Sequence, residues 1–414
     1  MSVLGWSVAV FAVAAVAIRW FKSAPTTASS TDKYFSENYF EARALFRASA
    51  AKAHATLHTL PLPDSELTID VAVLRGADPT ALLVHLSGTH GVEGFAGSAI
   101  QAALLANPDA LTSGPTVVFV HAVNPFGFAK VEEKHSLRRV NEHNVDLNRN
   151  YLSVDEFRAK RKQDPNRSGY MTLSSALNPP HAAHWANATF LPTWVTLGDY
   201  SFQDLLLVGQ SLRAGFDSVK RAIVSGTYHV PTGLFFGGQK LEPSHQLLTN
   251  FFTSQWNTSQ LRRVAFLDVH TGLGPAGFDT VEVLSPSLCV TADILTTLFP
   301  GHAAISNYTS EATALSGFEE AVGLAVNGYL GLFPNAPVRL GVTQEFGTKN
   351  IVNVLVSLRK ENAAMNHAPG THLAAANELR DAFYLHWDSG WKEAVIKRGT
   401  ILFHQLRINM QKSL

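Results

Sequence analysis

The sequence predicts an α/β fold, a sheet with helices packed on both of its faces. Three observations carry that prediction. From Leu67 onward, short β-branched runs alternate with longer helical stretches, the pattern of strands separated by crossover helices. Several of the strand-like runs end on a His, a Glu or a glycine-rich turn, and an open sheet gathers its ligands at the carboxyl ends of its strands. With 414 residues, 46% of them hydrophobic, the chain can build a large packed core.

In chain order, Met1 to Ile18 carries no charge and is followed at once by Arg19 and Lys22. A helix of that length reaches about 27 Å, just enough for the hydrocarbon core of a bilayer. A signal peptide would place its basic residues before the apolar run rather than after it. Residues 1–22 are therefore read as an uncleaved, single-pass transmembrane anchor, and the polar stretch to Lys33 as a linker. Residues 34–414 form one body. The side of the membrane stays open: Arg19 and Lys22 favour a cytosolic body, whereas glycosylation triplets at Asn166, Asn187, Asn257 and Asn307 point the other way.

Within the body, strands are expected at Leu67–Leu74, Ala81–Ser87, Thr116–His121, Val264–His270, Thr280–Leu284 and Val338–Glu345. Helices are expected at Glu37–Lys52, Gly94–Leu105, Phe202–Ala214, Thr291–Leu298, Glu311–Val326, Ile351–Asn362 and His372–Tyr384. Residues 152–200 are the least regular part and include a basic cluster from Arg158 to Lys162, so they are read as a surface excursion or a binding loop.

Composition narrows the chemistry. The 33 basic and 33 acidic residues balance, so no global field draws the protein to nucleic acid. Cys289 is the only cysteine, which excludes an internal disulfide and a cysteine-built metal site. Any metal must sit on His and carboxylates.

Four short motifs supply such groups. Gly88-Thr-His90-Gly-Val-Glu93-Gly follows the run Ala81–Ser87, and a spacing of three lets His90 and Glu93 converge on one ion. Val264–His270 delivers a second imidazole at a strand end. Asp268 shares its face and can orient that imidazole through a hydrogen bond. Two imidazoles and a carboxylate are a ligand set that leaves zinc an open position. The segment Arg138–Tyr151 brings guanidinium forks suited to anions: Asn148 and Arg149 to grip a substrate carboxylate, and Arg139, or its neighbour Arg138, to polarise a carbonyl. Glu345, at the end of Val338–Glu345, is placed to move a proton to and from water.

At this point the chain resembles the zinc carboxypeptidase superfamily, and within it the branch known as DUF2817. Beyond the four motifs, Asn124–Ala129, Pro231-Thr-Gly-Leu-Phe-Phe-Gly-Gly238, Asp268–Pro275 and Arg380–Tyr384 carry the likeness, which spans most of residues 35–410. The resemblance implies a mixed, mostly parallel eight-stranded sheet with helices on both faces. It also implies Zn2+ on His90, Glu93 and His270, Glu345 as general base, and substrate contacts at Arg139, Asn148 and Arg149. A tyrosine closing over the substrate is implied too, with Tyr329 and Tyr308 as candidates. The expected activity is hydrolysis of a C-terminal peptide bond or a similar amide. N-acyl amino-acid deacylation is the alternative within the same chemistry, since the Glu-Phe-Gly-Thr ending resembles the aspartoacylase side of the superfamily. A membrane-anchored binding module that has lost activity is a third reading, disfavoured because each ligand and acid/base position is filled. A serine hydrolase is a poor fit, because no Gly-x-Ser-x-Gly elbow occurs.

Overall fold

The computed structural model describes residues 29–129, 137–179, 216–286, 291–302, 304–307 and 321–411. The anticipated anchor, the helix Phe202–Ala214, most of Glu311–Val326, Tyr308 and Cys289 lie outside them. Among the described residues, no helix is long and apolar enough to cross a membrane.

The strands, in chain order, are β1 (Thr56–Pro61), β2 (Thr68–Leu74), β3 (Asp78–Ser87), β4 (Pro115–His121), β5 (Arg263–Gly272), β6 (Asp279–Leu284), β7 (Ala304–Asn307) and β8 (Val338–Gly347). They form one eight-stranded sheet in the order β1-β2-β4-β3-β5-β8-β6-β7. The central run β4-β3-β5-β8 is parallel; β1 and β2 join it antiparallel on one side, and β6 on the other.

Successive residues of a strand point to opposite faces, and the buried residues sort accordingly. Leu83, Phe119, Leu267 and Val342 pack with Phe46, Phe95, Ile100 and Phe403 in one cluster. Their chain neighbours Leu82, Val84, Val118, Val264 and Phe266 pack with Leu248, Phe252 and Leu330 in another. The first face is thus covered by helices Tyr39–Lys52, Gly94–Leu105 and Ser389–Asn409, the second by Pro243–Gln255 and Ala325–Gly331. Both faces of the central strands being buried explains why these strands read as nearly continuous apolar runs.

The sequence missed several elements. β1 and β7 are edge strands, and β1 is only partly buried. Part of the stretch 152–200 is regular: Val154–Lys162 and Tyr170–Leu177 are helices. The first opens with a capping box between Ser153 and Glu156, two reciprocal bonds that satisfy free N–H groups of the first turn. The basic cluster is the solvent side of that helix rather than a loop.

Candidate metal centre

Because β3, β5 and β8 are parallel neighbours, their carboxyl ends share one edge of the sheet. His90 follows β3 directly and opens the short turn Gly91–Glu93. That turn lies against the backbone of Gly127, where a Cβ on Gly91 would fall 2.0 Å from a carbonyl carbon. Its N–H groups on Gly91 and Val92 donate to the carbonyls of Arg139 and Arg138, at 3.2 and 2.9 Å, which stitches the arginine segment to the His-x-x-Glu turn. His270 lies near the carboxyl end of β5, beside Glu345 of β8, its register partner.

His90, Glu93 and His270 are buried, and one ligand atom from each lies within 4.8 Å of the others. His90 Nδ1 is 2.9 Å from Glu93 Oε1, His270 Nδ1 is 3.0 Å from Glu93 Oε2, and the two Nδ1 atoms are 3.1 Å apart. Tetrahedral ligands at about 2.0–2.1 Å from zinc stand roughly 3.3 Å from one another. The spacing therefore fits a single small divalent ion.

The outer nitrogens strengthen the fit. His90 Nε2 is bonded to Asp146 Oδ1 at 3.1 Å, and His270 Nε2 lies 3.0 Å from Asp268 Oδ2. Each carboxylate favours a proton on Nε2 and so turns the Nδ1 lone pair inward. Two inward lone pairs and a carboxylate repel one another unless a cation or a proton stands between them. Thr89 Oγ1 donates to Asp268 at 2.9 Å, and the Thr271 N–H donates to Glu93 at 3.2 Å, so the shell itself is held.

Electrostatics follow from this crowding. Burial alone would raise Glu93, yet His90 and His270 hold its carboxyl well below the usual range. Burial would likewise lower His270, but Asp268 and Glu93 lift it well above the ordinary imidazole value. Asp146 is buried as well, and Arg139 with His90 keeps it ionised. Glu345 goes the other way: burial, reinforced by the charge on Glu93, pushes it up to about 8. Its Oε1 accepts the Leu273 N–H at 2.9 Å.

The two neighbouring arginines part company. Arg139 reaches into the centre, with Nη1 3.1 Å from Glu93 and Nε 3.0 Å from Asp146, and its guanidinium lies over the Phe235 ring at 5.4 Å. Arg138 turns away to Glu361 at 2.5 Å and to Asn144 at 2.8 Å, in a buried tie to helix Ile351–His367. Asn148 Oδ1 accepts the Ala325 N–H at 3.0 Å. Arg149 is buried, donating from Nε to Val224 O and from Nη1 to Asn148 O, each at 2.7 Å.

Tyr329 must be corrected. Far from being a side chain that closes over a substrate, it is fully buried in the core under the sheet, stacked on Phe266 and donating its hydroxyl to His245 Nδ1 at 2.8 Å. Sequence reasoning also passed over two contributors. Asp146 was visible in the Asp-Leu-Asn-Arg motif, but nothing local marks it as the partner of His90. Phe235 sat in the quoted glycine-rich stretch, with no signal that it would underlie Arg139.

The family model described as protein of unknown function (DUF2817) matches residues 35–398. No curated protein matches the chain. Among solved structures it is similar to bovine thrombin-activatable fibrinolysis inhibitor in complex with tick carboxypeptidase inhibitor, at 11% identity and a TM-score of 0.42, over 85% of this chain and 98% of that one. It is also similar to a metallo-carboxypeptidase from Burkholderia cenocepacia, at 14% identity and a TM-score of 0.39, over 82% of this chain and 70% of that one.

Proposed function

The chain belongs to the DUF2817 family, and from the centre it builds we propose that it is a zinc-dependent hydrolase of amide bonds, acting on a C-terminal peptide or a similar small amide. The observation that carries this reading is the convergence of His90 Nδ1, His270 Nδ1 and Glu93 beside Glu345, on the adjacent strand end. An ion on those three ligands would supply Lewis acidity toward a carbonyl and toward water.

The chain's own residues do the rest. Glu345 takes the proton of the attacking water and returns it to the leaving nitrogen; burial, which raises its affinity for a proton, suits it to both halves of that task. Arg139 is fixed by Glu93 and Asp146 on two of its nitrogens, and it presents its remaining N–H groups to the oxyanion that develops on the carbonyl. Asn148 Nδ2 and Arg149 Nη2 are the donors we assign to a substrate carboxylate, since the other polar atoms of both side chains are spent on the backbone. Asp146 and Asp268 hold the imidazoles in the tautomer that binds an ion.

The test is a purified protein loaded with zinc and offered paired substrates: peptides with free and with blocked C-termini, and N-acyl amino acids. Turnover of free but not blocked peptides supports the peptide reading. Turnover confined to N-acyl amino acids moves the assignment to deacylation, and stoichiometric zinc with no turnover of any substrate overturns the hydrolase reading.

A further inference from the structure

A cavity of about 190 Å³ has a lining distinct from the candidate metal centre, with none of His90, Glu93, His270, Arg139 or Glu345 in it. Its floor is the buried turn Ser225–Tyr228, and its rim carries Lys160, Arg167 and His229. Gly226 adopts φ +63°, and a Cβ there would fall 2.3 Å from Phe235 O, so the turn lies flat against its neighbour and leaves the space above it open.

Two cationic side chains, Lys160 and Arg167, line this space against one carboxylate, Asp164. The Lys160 ammonium stands 5.9 Å from the centroid of the Tyr228 ring, above the floor. His229 Nε2 donates to the carbonyl of Arg161 at 3.3 Å, which ties the rim to the last turn of helix Val154–Lys162. Asp164 is the acidic residue of the lining, and its Oδ1 is occupied by the Asn166 N–H at 2.9 Å. Ser225 and Thr227 line the floor as well, and Thr227 Oγ1 accepts the His229 N–H at 3.2 Å.

The floor is bonded to the backbone of Phe235 and of Arg149. Thr227 N–H donates to Phe235 O at 3.0 Å, directly under the ring that carries Arg139. Tyr228 Oη donates to Arg149 O at 2.6 Å. Of the basic cluster Arg158–Lys162, Lys160 lines this cavity, and Arg167 adds a second cation to it.

We propose that this cavity binds a compact, multiply charged oxyanion of the phosphate or small dicarboxylate class, held by Lys160 and Arg167 over the Ser225–Tyr228 floor. Guanidinium and ammonium groups make charge-assisted hydrogen bonds to such oxygens, and the volume is large enough for a small ion. The proposal does not depend on the hydrolase reading.

Inorganic phosphate, with succinate as a parallel probe, is titrated into the full chain at constant ionic strength and followed by calorimetry. We expect saturable binding of at least one probe in the millimolar range or tighter. The double variant Lys160→Gln/Arg167→Gln should weaken it about ten- to a hundredfold, as loss of charge-assisted bonds does. The charge-conserving pair Lys160→Arg/Arg167→Lys should keep most of it, and Arg139→Gln should leave it unchanged. Absence of saturable binding of either probe to the unmodified protein overturns the proposal. So does binding that survives Lys160→Gln/Arg167→Gln, or binding lost with Arg139→Gln, which would place the anion at the metal centre.

Discussion

Glu93 and Glu345 bring the same functional group to the same centre and are driven in opposite directions, one held ionised by two imidazoles and the other pushed up to about 8 by burial and by Glu93 itself. Such a split is how neighbouring carboxylates take different roles, and it can be read in two ways. In turnover, Glu345→Gln should fall about 10²- to 10⁴-fold, the range of general acid/base catalysis, while zinc content stays near that of the unmodified protein. Full activity in that variant would sink Glu345 as the proton carrier. In stability, a carboxyl whose folded pKa is raised from 4.5 to about 8 binds more protons folded than unfolded across that window, so metal-free protein should lose stability as pH rises through it. Glu345→Gln removes this loss, and its melting temperature should gain on the unmodified protein between pH 5 and pH 8 in chelator; a constant difference would refute the raised pKa. His270→Ala should lose zinc outright, and Asp146→Asn should weaken zinc binding about 10- to 100-fold, the usual effect of removing a partner behind a ligating His. The three residues that converge were legible in sequence because each is a metal-binding type in or just after a strand of the sheet. Asp146 was not, because its partner His90 is 56 residues away. Tyr329 misled because a tyrosine for the core and one for a substrate look alike until burial is known.

At the scale of elements, the strands that carry the site were the most readable, since β3, β5 and β8 are buried on both faces and announce themselves as apolar runs. Helices were harder. Pro243–Gln255 contains the run Thr-Asn-Phe-Phe-Thr-Ser-Gln, poor in strong helix formers, and its stability comes from the packing of Leu248, Phe251 and Phe252 against the sheet. Ser389–Asn409 spreads its buried residues among Lys, Arg and Gln, and it becomes a clear helix only once Phe403 and Leu406 meet the sheet-face cluster. The turn Gly91–Glu93 offers the sharpest test of an element. A methyl group on Gly91 would collide with the Gly127 backbone, which cannot swing aside as a flexible side chain could. Gly91→Ala should therefore cost about 1–3 kcal/mol, the price of overpacking, and should lower zinc affinity because His90 and Glu93 ride on that turn. A melting curve and a zinc titration on the same preparation check both; normal affinity would show that the turn does not set the ligand geometry.

For the whole molecule, the α/β fold class was readable from alternation and composition, whereas the partition of the sheet's two faces between particular helices was not, because it depends on contacts between distant segments. Zinc should act on the molecule as a global staple: at free zinc about a thousandfold above its dissociation constant it should add roughly 4 kcal/mol of stability, and a chelator should withdraw it, as differential scanning calorimetry would show. Uptake should also release a proton, since His270 is lifted well above its ordinary value in the metal-free protein and must give up that proton to bind; apparent affinity then rises with pH. Equal binding heats in buffers of different ionisation enthalpy would contradict this. Residues 1–22 remain our proposed anchor, and deletion of residues 1–24 should leave a folded body that no longer sediments with membranes. His90 and His270 are 180 residues apart in the chain, and that interval sets a timetable for biosynthesis. A ribosome adding about 5–20 residues per second needs roughly ten to forty seconds between them, so a nascent chain carries only His90 and Glu93 of the three proposed ligands until β5 has emerged, and metallation waits for that strand.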